Sequence, residues 1–227
     1  MISLLLATAL VSQTPKYERR ANHDPDGTGT FYMGREIAQF MSHEAAGWLD
    51  RPERDSEEAP RRLLSTLGLK PGMTVADIGA GSGYLTFPIA RAVGKNGKVY
   101  AVDIQPEMLT IIQKKAKRTK INNVATVLST EDDPKLPERS TDLMLLVDVY
   151  HELGQPYEMG RNMVRGLKKG GRLVLVEYRK EDPRVPIKEL HKMSVAQVKE
   201  EMAVFPLRFL KSVETLPRQH VLIFERI

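Results

Sequence analysis

Short apolar runs alternate with stretches whose apolar residues recur at helical spacing, and this switching of period organises the chain from residue 70 onward. Val75, Ala76 and Ile78, Lys98–Ile104 (KVYAVDI), Ala125–Ser129, Asp142–Tyr150 (DLMLLVDVY) and Arg172–Tyr178 read as strands. Between them, Leu85, Ile89 and Val93 share a helix face, and Pro106 stands where a helix begins. Turn signals at Lys70-Pro71-Gly72 and Gly170-Gly171 separate the units. Strands alternating with helices predict an α/β fold around a mostly parallel sheet. Asp142–Tyr150 is almost continuously apolar, as a central strand covered on both faces should be. Toward the end, Ser194-Val195-Ala196-Gln197 is a capping box opening a helix with Val195, Val198 and Met202 inward. Leu207–Leu216 and Val221–Glu225 then form a pair of strands joined through Pro217-Arg218-Gln219-His220.

The first third is less regular. Ile37, Phe40, Met41, Ala45, Trp48 and Leu49 make one stripe, predicting an amphipathic helix over Arg35–Leu49. The polar, glycine-containing Lys16–Thr30 reads as a linker, and Arg51–Glu58 as a charged connection. A further helix runs to Leu67, with Leu63, Leu64 and Leu67 inward and Gly68 as its cap. Ile2–Val11 followed by Ser12-Gln13-Thr14-Pro15 has the apolar core of a secretory signal, with Ala7 and Ala9 as small residues for cleavage. No Lys or Arg precedes it, so an apolar N-terminal helix or a misplaced start is the alternative. The expected division is residues 1–15 as signal, 16–55 as linker and helical lid, and 56–227 as the α/β domain.

Composition narrows the function. With 227 residues, 28% charged and 41% hydrophobic, the chain can bury a sizeable core. The net charge of +5 is spread along the chain, and no basic–aromatic patch or appended nucleic-acid module is visible, so DNA is not an expected partner. No apolar run approaches membrane-spanning length. The absence of cysteine removes disulfides, thiolate metal sites and cysteine nucleophiles.

Candidate chemistry collects at strand ends. Thr74–Thr86 reads as a buried strand, a turn with Gly79, Gly81 and Gly83, then a helix start. The spacing is G-x-G-x-G, and the last glycine of a dinucleotide fingerprint would fall at Tyr84. Asp77, two residues before the first glycine, is a poor neighbour for a pyrophosphate and a good one for a cationic amino group. Asp103 ends the second strand, 20 residues beyond Gly83, where a carboxylate can accept from ribose hydroxyls. The fourth strand delivers Asp148, Tyr150, His151 and Glu152 to the end of the sheet where ligands of open α/β sheets bind. His151 has the unperturbed pKa of a general base. A core histidine is the competing reading.

Asp77 with G-x-G-x-G after Leu69-Lys70-Pro71-Gly72 resembles the first motif of class I S-adenosylmethionine-dependent methyltransferases, and the later motifs follow in order. The chain looks most like the small-molecule methyltransferases of the ubiquinone/menaquinone-biosynthesis type. The resemblance implies a Rossmann-like, doubly wound seven-stranded sheet of order 3-2-1-4-5-7-6, the seventh strand antiparallel, with S-adenosylmethionine across the ends of the first three. It implies that Asp77 and the backbone of Gly79, Gly81 and Gly83 hold the methionine part and Asp103 the ribose. Ile104 would pack the adenine and Asp132 would read its amino group, with Asp133 the near alternative. Asp148, Tyr150 and His151 fall on the acceptor side as candidate catalytic groups. Asp148 and Glu177 sit where catechol-type relatives bind magnesium, but two carboxylates do not make a ligand set and no metal is assigned. The absence of cysteine excludes cytosine-C5 transfer, and Asp148-Val149-Tyr150-His151 lacks the Pro-Pro-aromatic motif of adenine-N6 and glutamine methyltransferases. A small organic acceptor is expected, with a protein side chain, an RNA base or a non-catalytic binder as alternatives.

Overall fold

The computed structural model describes residues 17–227, and the candidate signal stretch Ile2–Val11 lies outside them. Seven strands form the main sheet: β4 (Thr74–Ile78), β5 (Lys98–Asp103), β6 (Val124–Leu128), β7 (Thr141–Val147), β8 (Leu167–Arg179), β10 (Leu207–Val213) and β11 (Gln219–Arg226). Their order is β10-β11-β8-β7-β4-β5-β6, which is 3-2-1-4-5-7-6 read from the other edge. β11 runs antiparallel to both neighbours, while β4 to β8 are mutually parallel. A two-residue strand, β9 (Lys192–Met193), adds to the end of β8.

Period-two alternation sends the strands' side chains to two cores. Ala76, Ile78, Met144, Leu146, Leu173 and Leu175 meet α6 (Pro156–Gly166) and α7 (Val195–Met202). Val75, Leu143, Leu145, Val174 and Val176 meet α3 (Pro60–Thr66) and α4 (Thr86–Val93) on the other face. α5 (Pro106–Thr119) closes the sheet beside β5 and β6, with Pro106 in its first turn as expected. Ser194 caps α7 by accepting from the Gln197 amide at 3.1 Å, but the Gln197 side chain turns to Glu201, so the capping box is half made.

The fourth strand is shorter than expected. It stops at Val147 because Asp148 adopts a left-handed backbone (φ 54°), and Tyr150–Glu152 form a 3₁₀ turn.

The N-terminal segment corrects the expectation more deeply. Residues read as a linker and a helix form a three-stranded antiparallel sheet: β1 (Tyr17–Arg19), β2 (Gly27–Tyr32) and β3 (Arg35–Ala38). Met33 and Gly34, both at positive φ, make the two-residue turn that such hairpins favour. Ile37 and Ala38, which point to opposite faces of β3, are both fully buried, so this strand is covered on both sides. Only the end of the predicted helix survives, as a 3₁₀ turn at His43–Ala45 and α1 (Ala46–Leu49). α2 (Arg54–Glu58) then leads into α3. The small sheet is tied to the main domain by the Arg35 guanidinium on Glu201 (2.9 and 3.1 Å) and the Tyr17 hydroxyl donating to Glu158 (2.7 Å). No helix among the described residues is long and apolar enough to cross a membrane.

Candidate functional site

A cavity of 710 Å³ opens over the carboxyl ends of β4, β5 and β7, where the parallel strands all point. One wall is the turn after β4. The Gly79 and Ala80 amides both donate to the Val102 carbonyl (2.8 and 3.0 Å), folding the turn back over β5. Gly79 has φ 68°, and a Cβ there would sit 2.5 Å from a Val149 methyl. Gly81 has φ 53°, with Leu49 2.6 Å from its would-be Cβ. Both positions require glycine, so the turn presents bare backbone to the cavity. Gly83 turns the chain into α4.

Asp77 lines the cavity beneath this turn and accepts from the Thr86 hydroxyl at 2.5 Å. Burial pushes its pKa up to about 6, a buried carboxylate short of positive partners. Asp103 takes the Gly81 amide on one oxygen (2.8 Å) and the Gln105 amide on the other (2.9 Å). Burial raises its pKa, and those amides oppose the rise. Ile104 is 39% exposed and lines the cavity beside it. Asp77, Gly79, Gly81, Asp103 and Ile104 are therefore gathered at one mouth; Gly83 is off the lining, its would-be Cβ turned toward Phe87 (2.9 Å) and Ile112 (3.0 Å), so it serves the turn and the packing behind it. Asp132 is not. Its carboxylate turns outward to the Thr130 hydroxyl (2.6 Å), while Asn162 holds its carbonyl, and Ser129, Thr130 and Glu131 line the cavity instead. Asp133 is also off the wall, bound to the Lys135 amide.

The other wall comes from β7 and β8. Asp148 lines it, with Gln219 donating to Oδ2 at 2.6 Å while Oδ1 is buried without a partner. Burial, and the nearby Glu58 and Glu177, push this carboxyl well above the usual carboxylate range. Tyr150 lies outside the cavity lining. The left-handed residue and 3₁₀ turn rotate its ring into the core, fully buried under the Arg35 guanidinium.

His151 reaches the cavity from a buried position. Its Nδ1 is 2.6 Å from Glu177 Oε2, and Glu177 also accepts the Tyr150 amide at 3.0 Å. Burial opposes charge on the ring, but Glu177 and Glu152 outweigh it and push the pKa up to about 10. With no other cation bound, that shift favours the imidazolium over the free imidazole expected of a resting general base. His151 Nε2 faces His191 Nδ1 at 3.0 Å, and His191 Nε2 lies 3.2 Å from Asp26 Oδ2. Glu152 Oε1 is 3.7 Å from the first ring and 3.4 Å from the second.

His191 and Asp26 carry no signal in the sequence. His191 arrives because β9 pairs with the tip of β8, and Asp26 because β2 and β3 fold back onto this end. Arg35 completes the tie by donating to the His151 carbonyl at 3.0 Å. The stretch from Phe40 to Asp50 crosses the cavity: Gln105 binds the Met41 carbonyl (3.0 Å) and the His43 amide (2.7 Å), and Ser82 donates to Asp50 (2.9 Å).

Residues 69–214 match a family model described as a methyltransferase domain. The ubiquinone/menaquinone biosynthesis C-methyltransferase UbiE of Vibrio vulnificus is 32% identical over 121 residues, 53% of this chain and 46% of that protein. UbiE of Salmonella arizonae matches equally over 48% of its length, so the chain aligns with about half of these curated relatives. Among solved structures, a SAM-dependent methyltransferase from Aquifex aeolicus superposes with a TM-score of 0.78 at 26% identity, covering 83% of this chain and all of that one. A putative type 11 methyltransferase from Sulfolobus solfataricus shares the fold at a TM-score of 0.62 and 21% identity, over 75% of this chain and 93% of that one.

Proposed function

We propose that this chain, which belongs to the methyltransferase-domain family, transfers a methyl group from S-adenosylmethionine to a small organic acceptor. The observation that carries the reading is one cavity walled by the bare glycine turn, Asp77 and Asp103 on one side and by Asp148 and His151 on the other. Bound S-adenosylmethionine supplies a methyl already activated on a sulfonium. Asp77 answers the cofactor's ammonium, and Asp103, held by two amides, keeps acceptor capacity for the ribose hydroxyls. Ile104 packs the adenine, and the Ser129–Glu131 loop stands where Asp132 was expected.

On the acceptor side, Asp148 has an unpartnered carboxyl oxygen with which to orient a polar group. Holding the acceptor in line is the main catalytic task, and such positioning supplies up to roughly 7–11 kcal/mol in ideal systems. Phe40, Met41, Trp48 and Leu49 act as a lid that keeps water from the cavity. The small acceptor is suggested by the UbiE relatives, whose name places them in quinone biosynthesis.

Incubating the protein with methyl-labelled S-adenosylmethionine and a small-metabolite extract tests the reading. Label should appear in a low-molecular-weight product. Label only in protein or RNA would overturn the acceptor class, and cofactor binding without transfer would overturn catalysis. Export is a separate proposal resting on Ile2–Val11. Mass spectrometry of the native protein should find a chain starting after about residue 10, and a start at Met1 would remove it.

A further inference from the structure

We propose that His151, His191 and Glu152 form a binding site for one divalent first-row transition ion of the zinc or iron(II) kind, open to the cavity. The inference goes beyond methyl transfer and does not depend on it. It begins with two tautomers. Glu177, fully buried, is 2.6 Å from His151 Nδ1, so that nitrogen carries the hydrogen and Nε2 keeps its lone pair. Asp26 is 3.2 Å from His191 Nε2 and does the same for the second ring, leaving Nδ1 as the free nitrogen. Asp26 is itself held by Lys188.

The two free nitrogens face each other at 3.0 Å, and Glu152 Oε1 stands 3.4 and 3.7 Å from them. With the rings in these tautomers three electron-pair donors converge on one point, and a bound cation satisfies all three. Bonds of about 2.1 Å to a metal place tetrahedral ligands about 3.4 Å apart and adjacent octahedral ligands about 3.0 Å apart; two sides of the triangle, 3.0 and 3.4 Å, match these spacings, and the third, 3.7 Å, is slightly longer and needs a small inward shift of Glu152. Each imidazole is backed by a carboxylate, the arrangement that orients metal-bound histidine. Two nitrogens and one oxygen suit zinc or iron rather than magnesium or calcium.

Three protein ligands leave coordination positions free, as in catalytic rather than structural sites. All three residues line the cavity shared with Asp77 and the glycine turn. The ligand for the open position is therefore an oxygen, a hydroxyl or a carboxylate, of a small molecule in that cavity. The competing occupant is a proton, which would make His151 an imidazolium donating to His191.

The test is titration of the chelator-treated full chain with Co²⁺, read by its visible ligand-field spectrum, and with Zn²⁺ by competition. One equivalent should bind. His191→Ala, at the cavity edge, should weaken it by about a hundredfold or more, and Asp26→Asn by about tenfold to a hundredfold as an orienting carboxylate. Thermal melting checks that each variant is folded, and Glu152→Gln serves if His191→Ala is not. Absence of stoichiometric binding by the parent, or binding that the folded His191 and Glu152 variants both retain, would overturn the site in favour of the proton. S-adenosylmethionine binding by the metal-free protein, measured alongside, reports on the proposed function separately.

Discussion

The two walls of the cavity are built in opposite ways. The cofactor wall is local: Asp77, Gly79, Gly81 and Thr86 lie within one strand–turn–helix unit, and Asp103 is reached by the neighbouring parallel strand. The acceptor wall is assembled from afar, with Asp26 between β1 and β2, Asp148 and His151 after β7, Glu177 on β8, His191 beside β9 and Gln219 on β11. The first wall depends on backbone conformation. The second depends on mutual support among buried charges, so it should respond to substitution through stability as much as through binding.

The largest expected effect lies on the acceptor wall. Glu177→Ala strips a fully buried carboxylate from His151 and the Tyr150 amide, and should cost about 3–5 kcal/mol of stability in a denaturant titration. Next comes the cofactor wall. Gly79→Val forces a branched side chain into a left-handed backbone and against Val149, so S-adenosylmethionine affinity should fall by at least about a hundredfold. Equal loss of binding in both variants, with equal stability, would erase the contrast.

A pH series sharpens it. Asp77, with a pKa near 6, must lose its proton before it can pair with the cofactor's ammonium. Affinity should therefore be level above about pH 6 and weaken by up to about tenfold per unit below it. In the free protein the sign is reversed: the raised pKa makes ionised Asp77 a cost that is relieved as pH falls from about 6 toward 4. A flat affinity profile across pH 5–7 would remove Asp77 from that role. The smallest effect is expected at Asp132, whose carboxylate turns outward; Asp132→Ala should leave affinity within about twofold.

The same contrast explains what was legible in the sequence. Asp77, the glycines, Asp103 and Ile104 could be placed because a short motif specifies its own turn and the βαβ pattern specifies the next strand. The sheet order and the adenine-packing role of Ile104 came from the family resemblance rather than from the pattern. Asp132 went astray because a loop position four residues before Leu136 says nothing about which way a side chain turns. Tyr150 was expected at the site because the fourth strand was carried through to it, whereas the strand stops at Val147 and the left-handed Asp148 turns Tyr150 into the core. Arg35–Leu49 looked helical because six apolar residues fit a stripe, while the turn at Met33-Gly34 committed its first four residues to a hairpin. His191 and Asp26 had no local signature, since only tertiary pairing brings them to His151.

The central claim is that S-adenosylmethionine binds across the ends of β4 and β5 with its ribose on Asp103. Calorimetric titration of the parent and of Asp103→Ala tests it most directly. The parent should bind S-adenosylmethionine and not NAD, and the variant, having lost charge-assisted bonds worth roughly 1.5–3 kcal/mol, should bind about tenfold to a hundredfold more weakly. Unchanged affinity in a folded Asp103→Ala protein, or preference of the parent for NAD, would contradict the account.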